Sequence, residues 1–295
     1  MRVIEPKKHS SDKSKNVYRK HSRALIFSWF LLFIIGSFGL YKYAIAPMTA
    51  TDISTSTPGP VAEVAKQSAA PETKPGSYKI FTGQQFKDLY YSVGYPNTQQ
   101  IQDPISITGN FDADKRIRSI AESRGYKQTS IPQNPINRIN EPRLNGDDLL
   151  QPLAADGWTK LKELAKNENI PLSIISAYRS PEWQRDLFLQ RLYANGVTPA
   201  QVAAGIADKA VNATLVTAAV PGYSRHHTGY TIDLWCEDGS GAFAYSSCFR
   251  WIKNNNYQRA KEAGWIPSYP EGTNEQGPEP EPWEYVWVGK GVLTD

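Results

Sequence analysis

The hydrophobic and polar positions in the C-terminal two thirds of the chain repeat with two periods. Apolar side chains spaced three or four residues apart predict helices over 112–124, 153–167, a stretch beginning at 181, and the alanine-rich stretch 199–217. Short apolar or alternating runs predict strands over 172–176, 230–235 and 285–288. Because these elements follow each other without a regular strand–helix–strand rhythm, the pattern favours an α+β fold with a small antiparallel sheet flanked by helices.

A long apolar run near the N-terminus predicts a membrane anchor. Residues 24–41 are uncharged and mostly apolar, and as a helix they would span roughly 27 Å, close to the thickness of a bilayer core. Lys42 can snorkel, which extends the predicted transmembrane helix to residue 46. A cleavable signal peptide is the alternative, with small residues at 46–50 for cleavage. The long charged leader and the length of the apolar run favour an uncleaved anchor with a cytoplasmic N-terminus.

The net charge of +4 is distributed unevenly along the chain. Residues 1–23 carry eight basic and two acidic side chains, which leaves the remaining residues near −2. A basic tail of this kind argues against a nucleic-acid-binding domain. Residues 47–76 are rich in Thr, Ser, Ala and Pro, as in a flexible linker. We therefore expect one folded domain over 77–295, in which 77–106 shows no chemistry and forms a cap or packing segment.

Two cysteines, Cys236 and Cys248, lie in the part of the chain that an anchor would export. Outside the cytoplasm such a pair more often forms a disulfide than a metal site or a redox couple. A bridge closing this short loop contributes on the order of 2–3 kcal/mol. Because Cys236 follows Asp233 by three residues, the bridge would brace the strand that carries Asp233.

Two adjacent histidines within residues 224–233 are the only histidines outside the basic tail. His226 and Asp233 lie on either side of Gly229, which allows the backbone to turn so that their side chains converge. Imidazole and carboxylate both suit Zn²⁺, and a catalytic zinc needs three protein ligands. His227 is not expected to share the ion, because neighbouring residues of an extended chain face opposite ways. These residues predict two ligands of a metal site and leave the third open.

Two carboxylates near the C-terminus, Glu281 and Glu284, flank Trp283. On their own they favour an acidic, proline-rich loop that leads to an edge strand. The spacing of these two carboxylates in the sequence does not by itself indicate that they lie near a metal site.

Several motifs along the chain, however, resemble those of one family in the same order. The motif S-x-H-x-x-G-x-A-x-D is similar to the sequence around Ser224, His226, Gly229, Thr231 and Asp233. The motifs S-G-Y-R-S-x-x-x-Q, G-F-x-x-S-Y-P and E-P-W-H resemble residues 176–184, 264–270 and 281–284. These motifs are those of VanY-type D-alanyl-D-alanine carboxypeptidases, zinc enzymes of the hedgehog/DD-peptidase fold. The similarity extends roughly over 107–289.

This resemblance implies metal-assisted hydrolysis of an amide bond. The roles it implies are zinc ligands for His226 and Asp233, a general base for Glu281, a contact with the substrate carboxylate or oxyanion for Arg179, and pocket positions for Ser224 and Gln184. A base that takes a proton from water needs no covalent enzyme intermediate. The sequence also has no nucleophilic-serine motif placed for the alternative reaction.

The chain departs from the family at the third ligand. Where the family's last motif ends in histidine, this chain has Glu284. Glu284 could replace the imidazole, since zinc accepts carboxylate oxygen, and such a site could also admit harder divalent metals. The alternative is a domain that has lost its metal and only binds peptidoglycan.

The expected protein is a zinc carboxypeptidase that removes terminal D-alanine from peptidoglycan stem peptides. Residues 24–46 would anchor it in the bacterial cytoplasmic membrane, with the domain in the periplasm or outside the cell. A noncatalytic wall-binding protein and an endopeptidase that cuts cross-links remain alternatives. Sequence leaves open whether the cleaved bond joins two D-residues or an L- and a D-residue.

Overall fold

The computed structural model describes residues 77–142, 144, 148–273 and 279–295. The predicted basic tail, anchor and linker lie outside these residues. Within the described ranges, no helix is long and apolar enough to cross a membrane.

Most of the predicted helices are present in the described part, and their predicted bounds differ from the observed ones by one or two residues. They are α1 Gly83–Ser92, α2 Phe111–Ser123, α3 Pro152–Asn167, α4 Pro181–Ala194, α5 Pro199–Ala203, α6 Asp208–Thr214 and α7 Ser247–Glu262. Helix α4 begins where its signals place it. The Ser180 side chain accepts a hydrogen bond from Trp183 N, and Pro181 occupies the first turn, where its missing N–H costs nothing.

The prediction of one helix over 199–217 was wrong. The stretch contains two short helices, α5 and α6, separated by residues 204–207. Gly205 lies between them with φ +70°, a left-handed conformation that ends a helix and that glycine adopts without steric cost. Alanine content predicts helical propensity, but this glycine interrupts the run.

A four-stranded antiparallel sheet forms the centre of the domain, with its strands in the order Leu172–Ser176, Thr231–Cys236, Glu284–Trp287 and Trp265–Pro267. The strands are β1 Thr98–Gln100, β2 Ser130–Pro132, β3 Asn137–Arg138, β4 Leu149–Leu150, β5 Leu172–Ser176, β6 Thr231–Cys236, β7 Trp265–Pro267 and β8 Glu284–Trp287. Strands β1 and β2 pair with each other, as do β3 and β4. Small antiparallel sheets among helices confirm the predicted α+β class.

Two apolar cores pack on either side of the segment that carries the histidines. The first core joins the central sheet to α1, α3 and α7, with Trp158, Ile232 and Tyr285 among its fully buried side chains. The second joins α2 to α4, α5 and α6 through side chains such as Phe188. Ala218, Val220 and Tyr223 belong to the second core and the apolar side chains of β6 to the first, so residues 224–229 connect the two along the chain.

Helix α7 contains a break that ties the N-terminal segment to the domain. Asn255, Asn256 and Tyr257 have left-handed backbone, with φ of 49°, 57° and 62°. The Asn256 side chain accepts from the backbone N of Phe81 at 2.9 Å and donates to its carbonyl at 2.8 Å. The Lys261 ammonium donates to the Lys79 carbonyl at 2.6 Å. The chain entering α1 is therefore fixed by side-chain bonds to backbone.

Cys236 and Cys248 form a disulfide with a Cα–Cα distance of 5.7 Å. Cys236 is the last residue of β6, and Cys248 lies in the first turn of α7. The bridge thus connects the end of the strand that carries Asp233 to the neighbouring helix.

Candidate active site

The register of the central sheet places two buried carboxylates opposite each other. Asp233 on β6 pairs with Glu284 on β8, and their exposed fractions are 7% and 4%. Like charges directly opposite on neighbouring strands are destabilising, and burial of a carboxylate is costly unless it is compensated. The pair therefore requires positive charge close by.

His226 lies against both carboxylates. It belongs to a 3₁₀ turn, Arg225–Thr228, that ends at Gly229 with φ +75°. Its Nε2 is 3.3 Å from Asp233 Oδ1 and 3.4 Å from Glu284 Oε2. Its Nδ1 is 2.6 Å from the Ala177 carbonyl, which can only accept a hydrogen bond, so Nδ1 carries the proton. Nε2 is thereby directed at the carboxylates, which is the usual orientation of a metal-ligating histidine.

These three residues fit a zinc ion. One donor atom from each of His226, Asp233 and Glu284 lies within 4.8 Å of the others. Metal–ligand bonds of about 2.0–2.1 Å in a tetrahedron place ligand atoms about 3.3–3.4 Å apart, as observed at His226 Nε2. His226 Nε2 and Asp233 Oδ1 are buried and have no hydrogen-bond partner among the described residues. The orphaned atoms are those that a cation would bind.

The pKa values of His226 and Glu284 also show that the cluster favours a positive charge next to the two carboxylates. Burial and Arg179 oppose protonation of His226, but the carboxylates of Asp233 and Glu284 outweigh them and raise its pKa to about 9. Burial acts to raise the pKa of Glu284, but contacts with His226 and Arg225 lower it to about 2. Without a metal ion, a proton on the imidazole supplies the positive charge.

Glu281 lies in the turn before β8 and is not one of the clustered donors. Its carbonyl accepts from Glu284 N at 3.0 Å, and its side chain lines the cleft above the cluster. Burial first, and then repulsion by Glu284 and Asp233, raise the pKa of its carboxyl to about 8, although Arg179 and His226 oppose the shift. A carboxyl group with a pKa near neutrality suits proton transfer.

Arg179 reaches the cluster from the end of β5. Its Nη2 donates to Asp233 Oδ2 at 3.2 Å, and its Nη1 donates to Gln184 Oε1 at 3.2 Å. Gln184 is fully buried and also donates to the Ala219 carbonyl at 2.8 Å. Gln184, which was predicted to line the pocket, is not among the cleft-lining residues and contacts Arg179 instead. Ser224, the other predicted pocket residue, does line the cleft.

His227 has a different environment from its neighbour. Its Nε2 accepts from Gly222 N at 2.9 Å, and its Nδ1 therefore donates to the Arg179 carbonyl at 2.7 Å. Burial first, with Arg179 and His226 nearby, lowers its pKa to about 3, so the ring is neutral. The two histidines contact different partners although they are adjacent. They lie in a 3₁₀ turn, so the prediction of an extended segment at this position was wrong.

A cleft of about 440 Å³ opens above the cluster, and sequence reasoning missed one side of it. We call the cleft-lining residues Arg179, His226, Glu281 and Glu284, together with Asp233 of the cluster, the site floor. The opposite side, the cleft wall, consists of lining residues from 90–100 and 125–130, among them Tyr90, Tyr91, Tyr95, Gln99, Gln100 and Lys127. Part of the wall comes from 77–106, where we expected no chemistry. The closely spaced tyrosines were a signal, but tyrosines are as common in cores as in clefts.

A buried histidine and two carboxylates beside a third carboxyl and an arginine, at the base of an open cleft, define a candidate metal-dependent hydrolase. Residues 147–290 match the family model of VanY, D-alanyl-D-alanine carboxypeptidase. The relationship to the VanY-type family that the motifs predicted is confirmed.

Two curated relatives match part of the chain. A D-alanyl-D-alanine carboxypeptidase of Enterococcus faecalis is 32% identical over 173 residues, which cover 55% of this chain and 58% of the relative. The putative carboxypeptidase YodJ of Bacillus subtilis is 28% identical over 142 residues, which cover 46% and 45%. The matched part thus spans about half the length of these relatives.

Two solved structures of similar proteins match about half of the chain. The LdcB LD-carboxypeptidase has a TM-score of 0.41 at 25% identity, covering 50% of this chain and 63% of that one. VanYB in complex with D-alanine-D-alanine has a TM-score of 0.40 at 25% identity, covering 54% and 79%.

Proposed function

We propose that this protein is a metal-dependent carboxypeptidase that hydrolyses the terminal D-alanyl-D-alanine bond of peptidoglycan stem peptides. The observation that carries the proposal is the buried cluster of His226, Asp233 and Glu284, with orphaned donor atoms at the base of a cleft. The VanY family match and the Enterococcus relative support the substrate class.

His226, Asp233 and Glu284 would hold the metal ion, for which zinc is the first choice and harder divalent metals are alternatives. When bound, the ion supplies Lewis-acid polarisation of the scissile carbonyl and makes water a better nucleophile. Zinc binds both imidazole nitrogen and carboxylate oxygen, the two kinds of donor atom in this cluster.

Glu281 acts as the general base of the reaction. Its carboxylate takes a proton from the attacking water as the water oxygen bonds to the scissile carbonyl carbon, and it then delivers the proton to the leaving amine. Its position in the cleft, next to the donors but not among them, suits this role.

Arg179 binds negative charge on the substrate. Two of its nitrogens hold Asp233 and Gln184, and its Nε is buried without a hydrogen-bond partner among the described residues. A guanidinium fixed in this way can hold the terminal carboxylate of the peptide or the oxyanion of the tetrahedral intermediate. Its side chain retains 16% exposure toward the cleft.

We further propose that the domain functions outside the cytoplasm, tethered by residues 24–46 and the linker 47–76. The Cys236–Cys248 disulfide supports this location, because disulfides persist in oxidising compartments. Residues 1–23 would remain in the cytoplasm.

The test uses the full-length protein in detergent, its metal content, and a synthetic stem pentapeptide ending in D-alanyl-D-alanine. Stoichiometric zinc and chelator-sensitive release of D-alanine would support the proposal. A tetrapeptide, in which the terminal bond joins an L- to a D-residue, serves as the specificity control. Protein without metal that binds wall fragments and releases nothing would instead identify a noncatalytic binding protein, and cleavage confined to cross-linked peptides would identify an endopeptidase.

A further inference from the structure

Each carboxylate of the metal cluster is paired with its own arginine. Asp233 Oδ2 accepts from Arg179 at 3.2 Å, and Asp233 Oδ1 faces His226. Glu284 shows the same division, since its Oε1 accepts from Arg225 Nη1 at 3.3 Å and its Oε2 faces His226. In both residues one oxygen is held by a guanidinium and the other is directed at the cluster.

Arg225 is built into the domain around this contact. Its side chain is 9% exposed, and the same Nη1 donates to the Ser268 carbonyl at 2.7 Å. The guanidinium carbon lies 4.7 Å from the ring centre of Tyr90 and 4.4 Å from that of Tyr269. Planar guanidinium groups stack on aromatic rings and stay charged when buried, which a lysine does less well. The site thus encloses a permanent positive charge next to Glu284.

The charge on Glu284 explains why such a partner is needed. The corresponding family motif ends in a histidine, which is neutral when it binds a metal, whereas Glu284 adds a negative charge directly opposite Asp233. An uncompensated carboxylate here would be repelled by Asp233 and would be free to turn both oxygens toward the ion. Arg225 opposes both effects, because it supplies positive charge and occupies Oε1.

We propose that Arg225 is a positioning residue that adapts the metal site to a glutamate ligand, by neutralising Glu284 and presenting its Oε2 alone to the ion. The inference rests on the metal site of the proposed function and assigns a role to a residue that sequence reasoning left without one. In this role Arg225 acts through Glu284 and does not itself bind the ion.

The test is a double-mutant cycle read out as zinc affinity, measured by calorimetric titration of metal-free full-length protein without substrate. In the natural background, Arg225→Gln should weaken zinc binding by about 10- to 100-fold, as is typical for partners of metal ligands. In a Glu284→His background, Arg225 has no carboxylate to hold and is a buried unpaired charge. There Arg225→Gln should leave zinc affinity unchanged or increase it.

The background dependence separates positioning from general support of the fold. An equal loss in both backgrounds would show that Arg225 is only structural, and no loss in the natural background would overturn the proposal directly. Arg225→Lys retains charge but not the planar stacking, so it should lose less affinity than Arg225→Gln, and it replaces that variant in the cycle if Arg225→Gln fails to fold. Arg116→Gln is the matched control, because Arg116 pairs with Asp208 in an exposed contact.

The outcomes also separate this inference from the proposed function. Zinc binding that depends on Arg225, without release of D-alanine, would retain the inference and overturn the function. Release of D-alanine with equal zinc affinity in natural protein and Arg225→Gln would do the reverse. Absence of zinc binding in the natural protein would overturn both.

Discussion

The site floor and the cleft wall face the same cavity but are built by different physical means. The floor consists of ionisable groups, two of which, Asp233 and Glu284, are placed opposite each other by the register of β6 and β8. The wall consists of tyrosines, amides and Lys127, brought in by short elements outside the family-matched residues 147–290. A sheet fixes chemistry to within a fraction of an ångström, whereas short connecting elements can vary without disturbing it. We therefore expect the floor to determine the reaction and the wall to determine which peptide is accepted.

The largest effect should come from Glu281, the floor residue proposed as the general base. Glu281→Gln removes the base but keeps the size of the side chain, so kcat for D-alanine release should fall by about 10²- to 10⁴-fold. Zinc content should remain stoichiometric, since Glu281 is outside the donor set. Glu279→Gln, in the same acidic segment, is the control and should retain turnover. Undiminished turnover in Glu281→Gln would remove Glu281 from the mechanism.

Loss of a ligand should be the next largest effect. Glu284→Ala leaves two of the three protein donors, and we expect zinc affinity to fall by at least about 100-fold, beyond the usual loss for a residue that only supports a ligand. Calorimetric titration with zinc measures this directly. Full retention of affinity would show that Glu284 does not bind the ion, whatever its distance from His226.

A change in the wall should alter substrate binding and leave the chemical step intact. Tyr91 is 37% exposed at the cleft, and the Lys127 ammonium lies 4.0 Å from its ring centre. Tyr91→Ala should raise KM for the stem pentapeptide by up to about tenfold with kcat unchanged, because a contact remote from the scissile bond is made equally in substrate and transition state. Tyr245→Ala removes an exposed tyrosine that does not line the cleft and is the control. A fall in kcat at constant KM would contradict the division between floor and wall.

The smallest effect should be a loss of stability when the hydrogen bonds of Asp114 in the N-terminal region are removed. Asp114 accepts four hydrogen bonds from Ser106, Ile107 and Thr108. Burial raises its pKa, but these bonds outweigh burial and hold the pKa below 3.8. Asp114→Ala should reduce the free energy of unfolding by about 1–3 kcal/mol at neutral pH.

The pH dependence of this contribution has a definite sign. Because the pKa of Asp114 is lower in the folded state, its stabilisation is complete above the unfolded-state value and disappears as the pH falls through the lower folded value. Urea unfolding at pH 5 and near pH 2 should therefore show a shrinking difference between natural protein and Asp114→Ala. Asp112→Ala, an exposed carboxylate in the same helical turn, is the control. A difference that stays constant with pH would exclude the charged form of Asp114 as its source.

Local patterns predicted the elements that local physics determines. Strand β5, helix α3 and the start of α4 follow from periodicity and end signals, so the sequence placed them to within one or two residues. The residues of the site floor could be named because their motifs resemble a family, but spacing alone left Glu281 and Glu284 in an acidic loop. Their position depends on the register of β6 and β8, which joins segments about fifty residues apart.

Other features required the folded structure. Helix α7 contains three residues with left-handed backbone, Asn255, Asn256 and Tyr257, which no helical period describes. The role of Arg225 depends on its contact with Glu284 across 59 positions of sequence. The residues next to Arg225 in the sequence give no sign of a partner on a distant strand, so this contact could not be predicted.

The position of Tyr90 links the cleft to the metal cluster. Its ring lines the cleft and also stacks on Arg225, the partner of Glu284. In the proposed function, a peptide in the cleft would contact Tyr90, and an ion in the cluster would act on Tyr90 through Glu284 and Arg225. If a bound peptide changes the affinity for zinc by some factor, thermodynamic linkage requires that bound zinc change the affinity for the peptide by the same factor. Measurement of either equilibrium thus gives the cooperativity of both.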